Sequence, residues 1–337
     1  KFRKLLGISV AKAWDDQGVK LTKFGRYAEA IKCFDKAIKF NPMYTSAQYH
    51  KGYALEKMGG YRLAAEMYHR SETFFRSATM YEKINQYDKA GEMYELAKKF
   101  SKSAEMREKI NQYDKAGEMY ERSGKYNKAG EMYERIAEYD KACKMYELAK
   151  NTSKAGEMYE RIAEYGKAGE MYTKSREFDK AAKMFYKTGN FKKTADAYSL
   201  AGQYLEAGDM YLTLQDIEKA AEMYGLGKQY EKAGKIYNDL ADNVTENDEK
   251  MGWSLPNAVD LYEKASEMFG MLADNSMMHD QFEKAEWYFI KSSKLKDKAK
   301  SCRDEYEKFK SHLPKEYPDE KEKNIIKGKE FIKSFPE

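Results

Sequence analysis

Residues 116–141 read AGEMYERSGKYNK and then AGEMYERIAEYDK. The shift of thirteen residues that superimposes the two halves decides the fold. The same register extends in both directions. Units begin at Ala64, Ser77, Ala90, Ser103, Ala116, Ala129, Ala142, Ala155, Ala168, Ala181, Thr194, Ala207, Ala220 and Ala233, fourteen without an insertion. Self-similarity at a fixed period marks a repeat architecture. Position one is always Ala, Ser or Thr, and position two always Gly, Ala or Cys. Position four is Met in twelve units, and position five is Tyr or Phe in thirteen, with Arg107 the exception. Positions one, four, five and eight form the i, i+3, i+4, i+7 stripe of an amphipathic helix. Position three is usually acidic and position thirteen usually Lys, which predicts weak ion pairs on the outer face. Positions nine to eleven hold turn residues and an aromatic, as in Ser123-Gly124-Lys125-Tyr126. Position twelve is often Asp, Asn or Ser (Asp88, Ser101, Asp114, Asn127, Asp140), which predicts the N-cap there. Each unit thus reads as a helix of about ten residues, roughly 15 Å long. Helices this short are marginal alone and must be held by their neighbours.

Position eight alternates along the array. One parity carries Ile84, Ile110, Ile136, Ile162, Thr188, Leu214 and Leu240; the other carries Ser71, Ala97, Ser123, Ala149, Ser175, Ala201 and Gly227. The repeat is therefore expected to be a 26-residue antiparallel hairpin of two unlike helices. One should bury a branched side chain and the other allow close backbone approach. Stacked hairpins make an all-α solenoid.

Trp14, Gly18, Leu21, Gly25, Tyr27, Ala30, Phe34, Ala37 and Pro42 fall on the 34-residue tetratricopeptide spacing. A second copy follows with Gly52, Gly59, Tyr61, Ala64, Tyr68 and Ser71. Residues 11–76 thus resemble tetratricopeptide repeats. Ala64, Tyr68 and Ser71 belong to both schemes, so the short units look like contracted forms of that helix pair. In texture they also resemble the short-helix solenoids of coatomer-type and intraflagellar-transport-type trafficking proteins, and the soluble attachment proteins of membrane fusion. The tetratricopeptide resemblance implies a right-handed stack. The expected layout is tetratricopeptide repeats over 1–63, a short-helix solenoid of fourteen units over 64–240, a polar loop over 241–256, and a C-terminal helical hairpin and cap over 257–337. In the last part, helices are expected at 257–274, 279–297 and 298–312, with a capping helix in 313–337.

Composition narrows the function. Net charge is +5, from 61 basic against 56 acidic residues, which gives no strong reason to expect nucleic acid or an anionic membrane. Three cysteines far apart, Cys33, Cys143 and Cys302, fit a reducing compartment and a cytoplasmic location. No apolar run spans a membrane, and no signal peptide is read at the N-terminus. The sequence does not open with Met, which leaves room for an upstream segment. Four histidines stand outside HExxH, and no cysteine pair has CxxC spacing, so no zinc site is expected. Phosphate-cradling glycine motifs and the GxSxG elbow are missing too. No cofactor and no enzymatic activity are expected. The Met and Tyr stripes read as inter-helix core, and Cys143 as a buried small residue. Basic residues among aromatics suggest RNA along a groove, but the acid at position three largely cancels them.

In tetratricopeptide proteins the first helices of the repeats line a concave groove. The resemblance places Lys12, Asp15, Asp16, Val19 and Lys23 there in the first repeat, and Tyr49, His50, Tyr53 and Lys57 in the second. The chaperone-binding subclass clamps a C-terminal carboxylate with Lys and Asn; this chain has Asp15 and Val19 instead, and an acid would repel that carboxylate. The expected function is a protein-interaction scaffold or adaptor that holds a protein or extended peptide. A trafficking or membrane-fusion adaptor is the alternative, and an RNA-binding solenoid ranks below it. The solenoid ends leave room for homo-oligomers.

Overall fold

The computed structural model describes residues 2–247, 255–279 and 281–311. Among them are nineteen helices and no strand. Consecutive helices pack on one another as hairpins, the arrangement of an α-solenoid. The chain divides into two compact units, Lys1–Glu177 and Phe178–Glu337.

The first unit opens with three longer helices, α1 (Phe2–Lys23), α2 (Tyr27–Phe40) and α3 (Thr45–Lys57). Nine ten-residue helices follow: α4 (Tyr61–Arg70), α5 (Phe74–Lys83), α6 (Tyr87–Leu96), α7 (Phe100–Lys109), α8 (Tyr113–Arg122), α9 (Tyr126–Arg135), α10 (Tyr139–Leu148), α11 (Thr152–Arg161) and α12 (Tyr165–Lys174). The second unit has four more of that length: α13 (Phe178–Lys187), α14 (Phe191–Leu200), α15 (Tyr204–Thr213) and α16 (Ile217–Leu226). It ends with α17 (Tyr230–Asn247), α18 (Leu255–Met278) and α19 (Phe282–Ser311).

Positions one, two, four and five form the core, as the periodicity predicts. In α8 the buried residues are Ala116, Gly117, Met119 and Tyr120; in α9 they are Ala129, Gly130, Met132 and Tyr133. Each buried Met or Tyr contributes about 1.5–3 kcal/mol relative to exposure. Position two is small because the position-five ring of the next helix lies on it. A Cβ at Gly130 would sit 2.9 Å from Tyr146 Cε1, and one at Gly156 2.9 Å from Tyr172 Cε1. Gly52 lies under Tyr68 at the same sixteen-residue separation. The contact therefore runs unchanged from the longer repeats into the short ones.

The turns share one geometry. Position nine has positive φ in every short turn: Glu72, Asn85, Lys98, Asn111, Gly124, Ala137, Lys150, Ala163 and Arg176 in the first unit, and Gly189, Gly202, Gln215 and Lys228 in the second. The position-ten N–H donates to the position-five carbonyl, as Glu138 to Tyr133 at 2.9 Å. The position-nine N–H donates to the position-six carbonyl, as Ala137 to Glu134 at 3.1 Å. This pair of bonds is a Schellman closure, which satisfies the orphan carbonyls of each helix.

Several expectations are corrected. The N-cap is position ten, not twelve, because the helix starts at the position-eleven aromatic. Asp88, Asp114 and Asp140 lie in the first turn, and Ser101 and Asn127 stand second in their helices. Asn151, Asn190 and Asp216, each at position ten, cap with their side chains. Position eight is the C-cap residue of the short helices, so its large members lie at the edge of the core rather than in it: Ile136 and Leu214 are more than one-third exposed, whereas Ile84 is half-buried against the core cluster. Thirteen short helices occur rather than fourteen, because α17 continues through 241–247, where a loop was expected. Tyr237 and Ala241 are buried there, with Leu240 and Val244 packed against the same cluster. The loop expected at 255–256 is also helical, and 248–254 lie outside the described residues. Residues 282–311 form one helix rather than two, because Leu295, Ala299, Cys302 and Tyr306 continue a single buried stripe. The capping helix expected in 313–337 lies outside the described residues.

Candidate partner-binding face

In the first unit α1 and α3 touch directly across the repeat, so alternate helices share a layer. The nine residues proposed for the groove lie on these two helices, with different exposure. Lys12, Asp16 and Lys23 are exposed on α1, and Val19 is half-buried. Asp15 is buried: Ser46 Oγ donates to Oδ2 at 3.0 Å, and His50 Nδ1 lies 2.8 Å from Oδ1. Asp15 therefore ties α1 to α3. His50 is half-buried, and its ring lies 5.8 Å from that of Phe34 and 5.6 Å from that of Tyr49. Tyr49 and Tyr53 are half-buried and Lys57 is exposed. The Lys57 ammonium stands 5.3 Å from the Tyr53 ring centre.

Beyond these, cations lie on aromatic rings in two lanes, one along α5, α7, α9 and α11 and one on helices of both parities. At the helix C-terminal ends the cation is position seven. Lys83 lies over Tyr61 at 4.7 Å, Lys109 over Tyr87 at 4.6 Å, Arg135 over Tyr113 and Arg161 over Tyr139, both at 5.3 Å, and on the other parity Arg122 of α8 lies over Phe100 at 4.1 Å. Three of these cations also reach a position-six glutamate: Lys83 to Glu56 and Lys109 to Glu82 at 3.8 Å, and Arg161 to Glu134 at 3.7 Å. At the N-terminal ends the cation is position thirteen. Arg76 lies over Tyr49 and Tyr68, Lys102 over Phe75 and Tyr94, and Lys128 over Tyr120, and on the alternate helices Lys89 lies over Tyr81, Lys141 over Tyr133 and Lys167 over Tyr159. Position-thirteen lysines mostly stack on the position-five ring rather than pairing with position three; Lys154 to Glu157, at 2.8 Å, keeps the expected pairing.

The glutamates also anchor the core. Tyr94 donates to Glu82 at 2.7 Å, Tyr120 to Glu108 at 3.0 Å, Tyr146 to Glu134 at 3.0 Å and Tyr159 to Glu147 at 2.6 Å. Burial first and the carboxylate second push the Tyr94, Tyr120 and Tyr146 phenols well above their usual range. Where Arg107 replaces the tyrosine, its guanidinium reaches Glu95 at 3.3 Å, so the link survives as an ion pair. Arg107 Nε is buried without a hydrogen-bond partner. Burial pushes the Cys143 thiol up to about 11, which leaves it protonated near neutrality.

The lanes were not foreseen, although their signal was present. Bases at position seven and aromatics at position eleven are spaced 22 residues apart, as in Lys83 and Tyr61. That spacing becomes a contact only once helix orientation and turn geometry are fixed. No helix among the described residues is long and apolar enough to cross a membrane.

A tetratricopeptide-repeat family model matches residues 18–59. A model of the soluble NSF attachment protein family matches residues 56–139. No curated protein matches the chain. Solved structures similar to it include the TPR2AB domain of yeast Sti1 in a pHSP90 complex, 15% identical over 85% of this chain and 99% of that one, TM-score 0.27. The P58(IPK) TPR domain is 13% identical over 88% of this chain and 98% of its own, TM-score 0.25. The TPR protein YrrB is 18% identical over 51% and 84%, TM-score 0.23. At such TM-scores the superpositions add nothing to the fold argued from the helices themselves.

Proposed function

We propose that this chain is a non-catalytic protein-interaction scaffold, and that its partner lies along the α3–α11 layer of the first unit. The observation that carries this reading is the position-seven lane of cations on aromatic rings, which recurs every 26 residues on α5, α7, α9 and α11. Stacked on a ring, a cation keeps donors free for a second acceptor while its stem is held in place. A regular row of such groups suits an extended peptide or a helical protein surface, with neighbouring glutamates to receive basic residues. Tyr49, His50, Tyr53 and Lys57, with Lys12, Asp16 and Lys23, extend that layer at its N-terminal end. Asp15 supports them from beneath rather than touching the partner.

A second reading is a trafficking or membrane-fusion adaptor. The observation that favours it is the match of residues 56–139 to the attachment-protein family model, because the same stretch holds most of the lanes.

The test compares the full chain with its Lys83→Ala/Lys109→Ala/Arg135→Ala variant as baits in extract from the native source, with bound proteins identified by mass spectrometry. The expected result is a set of proteins retained by the first and lost by the second, at equal helicity. Vesicle-fusion components in that set would select the adaptor. Identical sets would sink the lane assignment, and turnover of a small molecule by both would argue for an enzyme.

A further inference from the structure

The α18–α19 hairpin of the second unit carries a groove that no described helix covers. It encloses about 640 Å³. Its floor is made of small residues, Ser266, Gly270, Ser292 and Ala299. The two serines are buried and satisfy each other: Ser266 Oγ donates to the Ser292 carbonyl at 3.0 Å, and Ser292 Oγ to the Ser266 carbonyl at 2.9 Å. The floor therefore asks for no polar partner. Glu267 and Asp274 line the α18 wall, and Lys296 and Lys300 the α19 wall. Toward the hairpin turn the same stripes continue as Met277 and Phe289, both exposed.

Core glycines elsewhere in this unit lie under an aromatic ring of a following helix. A Cβ at Gly208 would meet Tyr224 at 2.8 Å, and one at Gly234 would meet Phe269 at 2.8 Å. At Gly270 the nearest such atom is Ser292 Oγ, at 3.9 Å. The groove thus has the floor of an inter-helix contact without the ring that closes it.

The chain continues for 26 residues past Ser311, from 312 to 337. Residues 312–320 contain Pro314 and Pro318, which favour a break after α19. Residues 321–335 read KEKNIIKGKEFIKSF, and Ile325, Gly328, Ile332 and Phe335 fall on helical spacing, with Phe331 beside them. Fifteen residues of helix span about 22 Å, and the groove from Arg303 to Phe289 spans about 21 Å. Nine residues extended reach about 30 Å, ample for the roughly 12 Å of helix from Ser311 back to Arg303. The segment carries both signs, as the groove does: lysines 321, 323, 327, 329 and 333 suit the Glu267 and Asp274 wall, and Glu322 and Glu330 suit the Lys296 and Lys300 wall.

We propose that the α18–α19 groove is the seat of the chain's own residues 321–335, packed as one more helix of the stack, with Phe331 or Phe335 over Gly270. Cysteine pairs in the full chain test it: Met271→Cys combined in turn with Ile325→Cys, Gly328→Cys and Ile332→Cys, under mild oxidation. The native cysteines are all buried, and single variants control for them. The expected result is an intramolecular disulfide in at least one pair, seen as faster migration without reductant. A link only between chains would give the groove to a second copy and overturn the proposal, as would no link in any pair. In the full-length Ile325→Asp/Ile332→Asp variant, amide exchange over 262–274 and 292–303 should quicken on the order of tenfold, because those amides lose a covering element. Unchanged exchange there would overturn it too.

Discussion

Gly117 lies beneath the ring of Tyr133, so close that a Cβ at residue 117 would sit 2.9 Å from Tyr133 Cε1. Side chains cannot meet at that distance without movement, and the ring is 3% exposed, with little room to give. Gly117→Leu should therefore destabilise by about 1–3 kcal/mol, the usual cost of overpacking. Glu118→Leu, one residue on and solvent-exposed, should change stability far less. Thermal melts of the two variants decide it; equal midpoints would place the buried face elsewhere.

The turns hold residues that resist their own backbone. Ala163 has φ +59°, a region that costs a residue with a Cβ about 1–2 kcal/mol. Ala163 is exposed, so little packing is lost with its methyl. Ala163→Gly should raise stability by up to about 1 kcal/mol, with the gain reduced by the freedom glycine brings to the unfolded chain. Urea denaturation measures it, and a lower midpoint would contradict the closure described for position nine.

Arg107 marks the one unit where the position-five aromatic ring is missing. Its Nε is buried without a partner, and Gly91 beneath it has more room than Gly117 has under Tyr133. Arg107→Tyr would restore the ring over Gly91 and a phenol facing Glu95. The expected gain is about 1–3 kcal/mol, the desolvation cost of an unsatisfied buried group. A loss of stability would mean that the Arg107–Glu95 pair does more than replace a Tyr–Glu bond.

Much of this core was legible in the sequence, because period, small position and aromatic position all report one contact, Gly117 with Tyr133 and its copies. The turn was legible only in part. Gly124, Gly189 and Gly202 announce a left-handed residue, but Glu72, Lys98 and Arg176 adopt the same φ without any such signal. There the Schellman bonds impose the conformation. The alternation at position eight is real in sequence, but a helix that starts at position eleven ends at position seven, which leaves position eight at the C-cap and the edge of the core. Among the groove candidates, burial of Asp15 depends on Ser46 and His50, which lie 31 and 35 residues away. Local pattern cannot report a contact at that separation.

Alkaline pH should unfold the chain through its tyrosines. Burial, then the nearby Glu121 carboxylate, raises the Tyr133 phenol to about 12 from an ordinary value near 10. A group raised in the folded state contributes fully below its unfolded pKa and loses that contribution as pH climbs to its folded one. Stability should therefore be flat up to about pH 10 and fall between about 10 and 12. Tyr133→Phe should make that fall shallower. Urea midpoints collected across this range test the sign, and a rise above pH 10 would refute it.

The last prediction separates folding from binding. On α5, α7, α9 and α11 position seven is Lys83, Lys109, Arg135 and Arg161, an unbroken basic row. On α4, α6, α8 and α10 it is Arg70, Leu96, Arg122 and Leu148, and both leucines are exposed. Deleting residues 116–141 removes two units and keeps the parity, so Arg161 follows Lys109 in the same row. Deleting residues 116–128 removes one unit and exchanges the parities beyond it, so Leu148 takes the place after Lys109. Because the short units share one turn and one core contact, both deletions should fold with the helicity expected for their length. Partner capture should survive the larger deletion, weakened, and fail for the smaller one. Circular dichroism and capture by the two shortened chains provide the comparison. Equal capture by both would mean that the two helix faces are interchangeable to the partner, and that a 26-residue functional repeat is wrong.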